Sequence, residues 1–448
     1  MGRQILEKPS WHQFHAVYAS KMKIWRGRKI TAMKKSLVLF LALMALVSLS
    51  FCASAATTLE FLEVMTSPER TQLLRSMIAE YEELNPEIKI NLISPPYEQS
   101  EQKATLMLNT NQTLDIIEVR DLSAKQFVNN GKLTNLTEYI EAWSDAEPMT
   151  AVANAAARTV DNTPYLIPQN IYIKALFVRR DVLRANGIDS VPTTIEELVE
   201  TSIKITDPAK NQYGFTWRGK SQEIKFSDLF AAPYVESLKD AEFVYTDGKH
   251  HFRDPGFKEG MELYIKLFNE AVPNDGINWG FNEQINAFVS GTTPFLIQDP
   301  DSIPLLDNLL GPDKYEVHPI PVGPYGFNYI DYGFAGLGIP SYSKHKQEAW
   351  EFIKWMSTSE KNGYYNQHYG PLPVHTATFE NNEHFQGPHY VAYNYEMNHP
   401  EIFLPIPYDL SSAKWPGWAK IHETDIQSVL LGRMTLDQAL EKWAKHWD

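Results

Sequence analysis

The chain is 448 residues long, carries 41 Lys and Arg against 55 Asp and Glu for a formal net charge of −14, and has a single cysteine. That balance excludes a surface built to neutralise nucleic-acid phosphates and disfavours docking on anionic membranes. One cysteine also excludes any disulfide framework within the chain. The first element in chain order is a leader: Met33-Lys34-Lys35-Ser36, then eleven unbroken apolar residues from Leu37 to Val47, closing on Ala53-Ser54-Ala55. The lysines hold the start on the inner side, the apolar run enters the translocon and the small residues suit signal peptidase, so export with cleavage after Ala55 is expected. A membrane anchor is disfavoured, because the run rises only about 16 Å as a helix against a hydrocarbon core of roughly 30 Å. The alternative of a lipid tether on Cys52 has bulky Phe51 against it. Met22 and Met33 offer internal starts, of which Met33 fits the leader. Residues 1–55 take nine Lys and Arg and one Asp or Glu with them, leaving 393 residues with no cysteine and a formal charge of −22.

Beyond the leader no apolar stretch is long enough to span a membrane, and 393 residues give room for two or three domains. Thr58 to Val64 alternates as a strand. Ser67 or Thr66 can cap the helix that follows, with Pro68 and Glu69 in its first turn and Leu73, Leu74, Met77, Ile78 and Tyr81 at helical spacing. Asn85-Pro86 ends it. Strands are expected at Ile88–Ile93 and Asp115–Val119, with a helix at Glu101–Leu108 between them. This β-α-β-α-β opening predicts a mostly parallel sheet covered by helices, with ligands bound beyond the carboxyl ends of its strands. Met65 to Glu69 and Glu118 to Asp121 lie at two such ends. A second α/β section follows Ala175–Val178, with helices at Ile195–Ile205 and Gly260–Asn269. The chain ends in helices, the last capped by Thr435 with Leu436, Leu440 and Trp443 on one face.

Taken in order, several local patterns resemble the extracellular solute-binding proteins of ABC importers, in the branch that includes maltose-binding protein. They include Tyr81-Glu-Glu-Leu-Asn-Pro-Glu-Ile-Lys-Ile90, Gly131-Lys-Leu-Thr-Asn-Leu-Thr-Glu-Tyr-Ile140 and Tyr165-Leu-Ile-Pro168. Phe177-Val-Arg-Arg-Asp-Val-Leu-Arg-Ala-Asn-Gly-Ile188, Pro192-Thr-Thr-Ile-Glu-Glu-Leu198, Ala349-Trp-Glu-Phe-Ile-Lys-Trp355 and Gly370-Pro-Leu-Pro373 continue the series. The resemblance implies two α/β lobes joined by hinge crossings, with ligand trapped between them. It implies lobe segments 56–173 and 335–375 for one lobe and 174–334 and 376–448 for the other. Crossings are implied near Lys174 to Val178, near Phe334 to Ile339 and around Val374, with Gly336 and Gly338 suited to a moving strand. A strand edge or close backbone approach is the other reason for those glycines.

A sugar presents hydroxyl groups and a flat C–H face, so its site needs directional polar side chains beside aromatic platforms. Met65, Glu69, Glu118 and Asp121 are expected at the cleft from their strand-end positions. Gln169, Asn170 and Tyr172 precede the first crossing, and Tyr332 precedes the second. Trp217 and Arg218 follow an alternating run, Gln298 and Asp299 follow an apolar strand, and Trp415-Pro-Gly-Trp418 sits before the last helices. Each has a plainer reading as a packed aromatic or as a turn or cap residue.

Partners implied are a small-molecule ligand, a mono- or oligosaccharide, and the transmembrane subunits of an ABC permease, with no nucleic acid, no cofactor, no metal and a monomeric periplasmic protein. Same-fold receptors for a polyamine, drawing on Glu118, Asp121, Asp299 and Asp331, for a metal chelate, or for a polyol phosphate held by Arg218 or Arg120 remain alternatives. A secreted glycoside hydrolase is the alternative of another class, with Asp299 and Asp301 or Glu118 as its carboxylates. No His-Glu-x-x-His, Gly-x-Ser-x-Gly or phosphate-loop pattern is present.

Overall fold

A computed structural model describes residues 56–158, 162–220, 223–330, 332–410 and 412–448. The leader with Met33 and Cys52, and Asp331, lie outside the described residues. Strand β1 (Thr57–Leu62) enters helix α1 (Pro68–Leu84), where the Ser67 side chain accepts from the Arg70 N–H and Pro68 occupies the first turn. The helix stops at Asn85, ahead of Pro86. Strand β2 (Ile88–Ile93) alternates buried and exposed residues, as an edge strand with one covered face should. Helix α2 (Tyr97–Asn109), β3 (Ile116–Arg120) and α3 (Asp121–Asn129) complete the first section.

The chain then adds β4 (Leu166–Tyr172), which is buried throughout, and leaves the sheet at Ile173-Lys174 to begin β5 (Ala175–Val178). β5 lies antiparallel between β6 (Phe295–Gln298) and β7 (Glu316–His318) in a second sheet. A two-residue strand β8 (Asn328–Tyr329) pairs in parallel with β10 (Phe403–Leu404). The chain returns to the first sheet in β9 (Gly333–Gly338), so that sheet has the order β2-β1-β3-β9-β4.

Pairing differs from the mostly parallel sheets expected. β1 and β3 are parallel, but β9 runs antiparallel to both β3 and β4, and β5 is antiparallel to both its neighbours. The reason is the connectivity: β4 and β9 carry the chain out of and back into the first sheet, so each must run against the strand it joins. Gly336 and Gly338 sit inside β9, paired on both edges. A Cβ on Gly336 would stand 2.9 Å from the Ile167 carbonyl oxygen, so close backbone approach accounts for glycine there.

Helix α1 and helix Lys346–Met356 cover one face of the first sheet, burying Phe61, Tyr81, Trp350 and Phe352 with Ile88 and Ile90. A larger core runs through the other face and the second body, closed by helices Pro255–Ala271, Trp415–Leu430 and Leu436–Trp447. Residues Thr58 to Asp448 form one compact unit. No helix of the described residues is long and apolar enough to cross a membrane.

Candidate functional site

The loop after β1 is fixed from beneath by buried charge. Glu118 on β3 accepts from the backbone N–H groups of Val64 and Met65, both at 2.8 Å, and pairs with Arg70. Arg70 also donates to Glu63 Oε1 and to the Met65 carbonyl, each at 2.8 Å. Glu63, itself fully buried, takes further hydrogen bonds from Thr71 and Ser94. An unpaired charge in such a place would carry a desolvation penalty of several kcal/mol, whereas here each carboxylate meets a cation or several donors. The consequence is a rigid Met65–Arg70 segment along one wall of a cleft.

That cleft has a volume of about 810 Å³ and is walled from both sheets. From the first come Met65, Glu69, Arg70, Arg120 and Asp121, with Tyr97 from the start of α2 and Tyr369 from helix Ser359–Tyr369. From the second come Lys174, Arg218, Gln298, Asp299 and Asp301, with Phe281 from the start of helix Phe281–Val289. Lys174, almost fully buried, donates to both oxygens of Asp299 at 3.1 and 3.3 Å. The Tyr172 and Tyr369 hydroxyls meet at 3.0 Å on the floor. Arg120 donates to the Tyr97 hydroxyl at 3.2 Å and lies 3.7 Å from Glu101.

Arg218 is the cation without such a tie. It donates no hydrogen bond among the described residues, its Nε is buried and unpartnered, and its guanidinium lies over the Phe281 ring at 5.6 Å. Burial pulls its pKa down, opposed chiefly by Asp299, then by Tyr97 and Asp301. Asp301, half-buried, receives no side-chain hydrogen bond among the described residues. Its carboxyl is pushed up to about 7, first by desolvation and then by the Asp299 charge, with Arg218 and Lys174 pulling the other way.

Of the residues expected at the cleft, Met65, Glu69, Asp121, Tyr172, Arg218, Gln298 and Asp299 line it, as do Lys174 and Phe334 from the crossings. Several others are not brought there. Glu118 is buried under the loop and committed to Arg70 and two backbone N–H groups. Gln169 and Asn170 are sealed in β4: Gln169 donates to Ser357 at 2.6 Å, and Asn170 accepts from the Ala335 N–H at a bulge. Tyr332 is half-buried against the core. Trp217 packs under the wall against Tyr264 at 4.6 Å and Phe268 at 5.0 Å. Trp415 and Trp418 stand not on an irregular segment but in the first turn of a helix, because Pro416 suits that position. Trp418 is fully buried and donates to the Tyr245 hydroxyl at 2.7 Å. Sequence reasoning missed Arg70, Tyr97, Phe281 and Tyr369 as lining residues. Pro68 and the Ser67 cap were the available signal for Arg70, since a helix start at a strand end turns its first-turn side chains toward the cleft.

Two enzyme-like features have plain placements. Ser227 and His422 lie 3.2 Å apart, but both are fully buried, and burial holds the imidazole pKa down at about 3. Among the described residues, no group of three or more His, Cys, Asp or Glu could hold a metal ion.

Two α/β bodies joined by short crossings, with a polar cleft walled from both, define the class of two-lobed solute-binding proteins. The profile of the family described as bacterial extracellular solute-binding protein matches residues 66–363, and the chain belongs to that family. It is 26% identical to a binding protein of Brucella abortus over 427 residues, 93% of this chain and 97% of that one. Among solved structures, maltose-bound T. maritima MalE3 superposes with a TM-score of 0.75 at 18% identity, over 88% of this chain and 99% of that chain. An ABC transporter solute-binding protein from Agrobacterium radiobacter K84 in complex with ribitol gives 0.71 at 22% identity, over 88% and 98%. The family and the Agrobacterium neighbour are both described as solute-binding proteins.

Proposed function

We propose that this protein is the exported receptor of an ABC importer, holding a neutral polyhydroxylated solute, a carbohydrate or polyol, in the cleft and delivering it to a membrane permease. In this reading the leader is cleaved after Ala55 to release a monomer into the periplasm, segments 56–173 and 335–375 form one lobe, and 174–334 and 376–448 form the other. The observation that carries the reading is the mixed sign of the groups lining the cleft. Arg70, Arg120, Lys174 and Arg218 line it together with Glu69, Asp121, Asp299 and Asp301, so donors and acceptors of both signs face any occupant. A polyamine would meet the cations and an anionic ligand the carboxylates, whereas hydroxyl groups both donate and accept and so satisfy either sign. Maltose and ribitol, held by the two neighbours, are ligands of that kind.

A thermal-shift screen of the protein beginning at Ala56, against sugars, polyols, spermidine and chelated metals, tests this. Stabilisation by about 2.7 kcal/mol is expected at a hundredfold excess of a neutral ligand over its Kd. Turnover of that ligand by the purified protein, or binding of spermidine or a chelate alone, would refute it.

A further inference from the structure

Resting on that reading of the cleft, we infer that Asn362 and Asn366, which do not line it, are positioning residues that hold a bulge in β4 and so turn Tyr172 onto the cleft floor. The bulge shows in how β4 pairs. Leu166, Ile167 and Pro168 stand opposite Gly338, Leu337 and Gly336 in turn; Gln169 is then passed over, and Asn170, Ile171 and Tyr172 stand opposite Ala335, Phe334 and Gly333. Side chains alternate between the faces of a strand, so an inserted residue reverses every one beyond it. The packing records the reversal. Leu166 and Ile171, an odd five residues apart, both lie in the larger core with Phe334, whereas Ile167 lies with Leu337 on the face covered by helix α1. Tyr172, next after Ile171, therefore falls on the α1 face, where helix Ser359–Tyr369 brings Tyr365 and Tyr369. There its hydroxyl meets that of Tyr369. One residue fewer in β4 would send the ring to the opposite face, and the floor would lose it.

A bulged residue leaves the ladder, and its buried backbone groups need other partners. The side-chain amides of Asn362 and Asn366 both donate to the Gln169 carbonyl, at 2.7 and 2.8 Å. Asn366 also donates to the Asn362 backbone carbonyl at 2.8 Å, and Asn362 Oδ1 accepts from the Val374 N–H at 3.1 Å, so the clamp is itself fixed. Beyond the bulge, the Asn170 side chain accepts from the Ala335 N–H at 3.2 Å. Asn362 and Asn366 are fully buried and absent from the cleft lining, so they act on a solute only through the strand they hold. What they present is the hydroxyl pair of Tyr172 and Tyr369. One proton of that pair is spent between the two oxygens, and the other remains for a solute hydroxyl.

The protein beginning at Ala56 has no cysteine, so a single introduced thiol reports which face its position takes. Without ligand, Tyr172→Cys is expected to react with iodoacetamide at least about tenfold faster than Ile171→Cys, because only the first opens on the cleft. Asn366→Ala and Asn362→Ala, each removing one donor, are each expected to slow labelling of Tyr172→Cys at least about threefold, with a single cooperative unfolding transition retained. Isothermal titration with ribitol, D-mannitol and maltose reads the consequence. For whichever of these binds the wild type, Asn366→Ala is expected to weaken affinity at least about tenfold, but less than about threefold when introduced into Tyr172→Phe. A merely structural role would cost the same in both backgrounds. Equal labelling at the two positions, labelling that neither asparagine variant slows, or equal loss of affinity in the two backgrounds overturns this inference and leaves the receptor reading standing. Failure of the receptor reading shows differently: none of the three solutes binds, while the labelling rates still decide the placement of Tyr172.

Discussion

At the scale of single residues, the Glu63–Arg70–Glu118 cluster holds the cleft wall, and its worth is measurable. Glu118→Ala leaves Arg70 with one carboxylate and removes the acceptor of two backbone N–H groups in a buried site. Breaking a buried pair in this way costs about 3–5 kcal/mol, so equilibrium unfolding in urea is expected to show an unfolding free energy lower by that order. A loss under about 1 kcal/mol would place the cluster among weak surface pairs. Asp301 makes a second, pH-dependent prediction. Its native pKa of about 7 lies above the ordinary aspartate value of about 3.9. Between those two values the native protein holds a proton that the unfolded chain has released, so stability from this group falls as pH rises through the window. Asp301→Asn removes the slope. The melting temperature of the variant relative to wild type, without ligand, is expected to be higher near pH 8 than near pH 4. An offset that does not change with pH would mean Asp301 titrates normally.

At the scale of elements, the last helix Leu436–Trp447 anchors the second body through aromatic packing. Thr435 and Gln438 close its capping box, and Trp443 is fully buried against Phe252, Trp418 and His422 with its Nε1 donating to Asp425 at 3.1 Å. Trp443→Ala is expected to lower unfolding free energy by about 3–5 kcal/mol, read by urea denaturation, while Thr435→Ala costs only about 1 kcal/mol. This helix was legible in the sequence, as were Ile88–Ile93 and Ile195–Ile205, because caps and apolar periodicity are local signals. The pairing of β9 was not, since its direction is set by residues far apart in the chain. The tryptophans misled for a related reason. Local sequence marks Trp217 and Trp418 as large and apolar but cannot say whether a ring ends under a wall or on its surface. Arg218, one residue from Trp217, reaches the cleft while its neighbour points into the core.

At the scale of the whole molecule, the proposed function requires the two bodies to close on their ligand. The two bodies are joined by short passages at Ile173-Lys174 and ahead of Gly333. A ligand can shift such an equilibrium only by its differential affinity for the closed form. Taking a population from one part in a hundred closed to ninety-nine requires about 5.5 kcal/mol. Hydrogen bonds to charged groups contribute about 1.5–3 kcal/mol each, so two to four formed only on closure suffice, and Arg218 is positioned to supply one from the second body toward a ligand resting on the first. Small-angle scattering is therefore expected to show a smaller radius of gyration when the protein is saturated with its solute. Arg218→Ala removes one of those bonds and leaves too little differential affinity to close nearly every molecule. Even at saturation the variant should give a radius between the free and bound values of wild type. A variant that closes fully once saturated would show that Arg218 contributes equally to the open and closed forms and so binds the solute without driving closure.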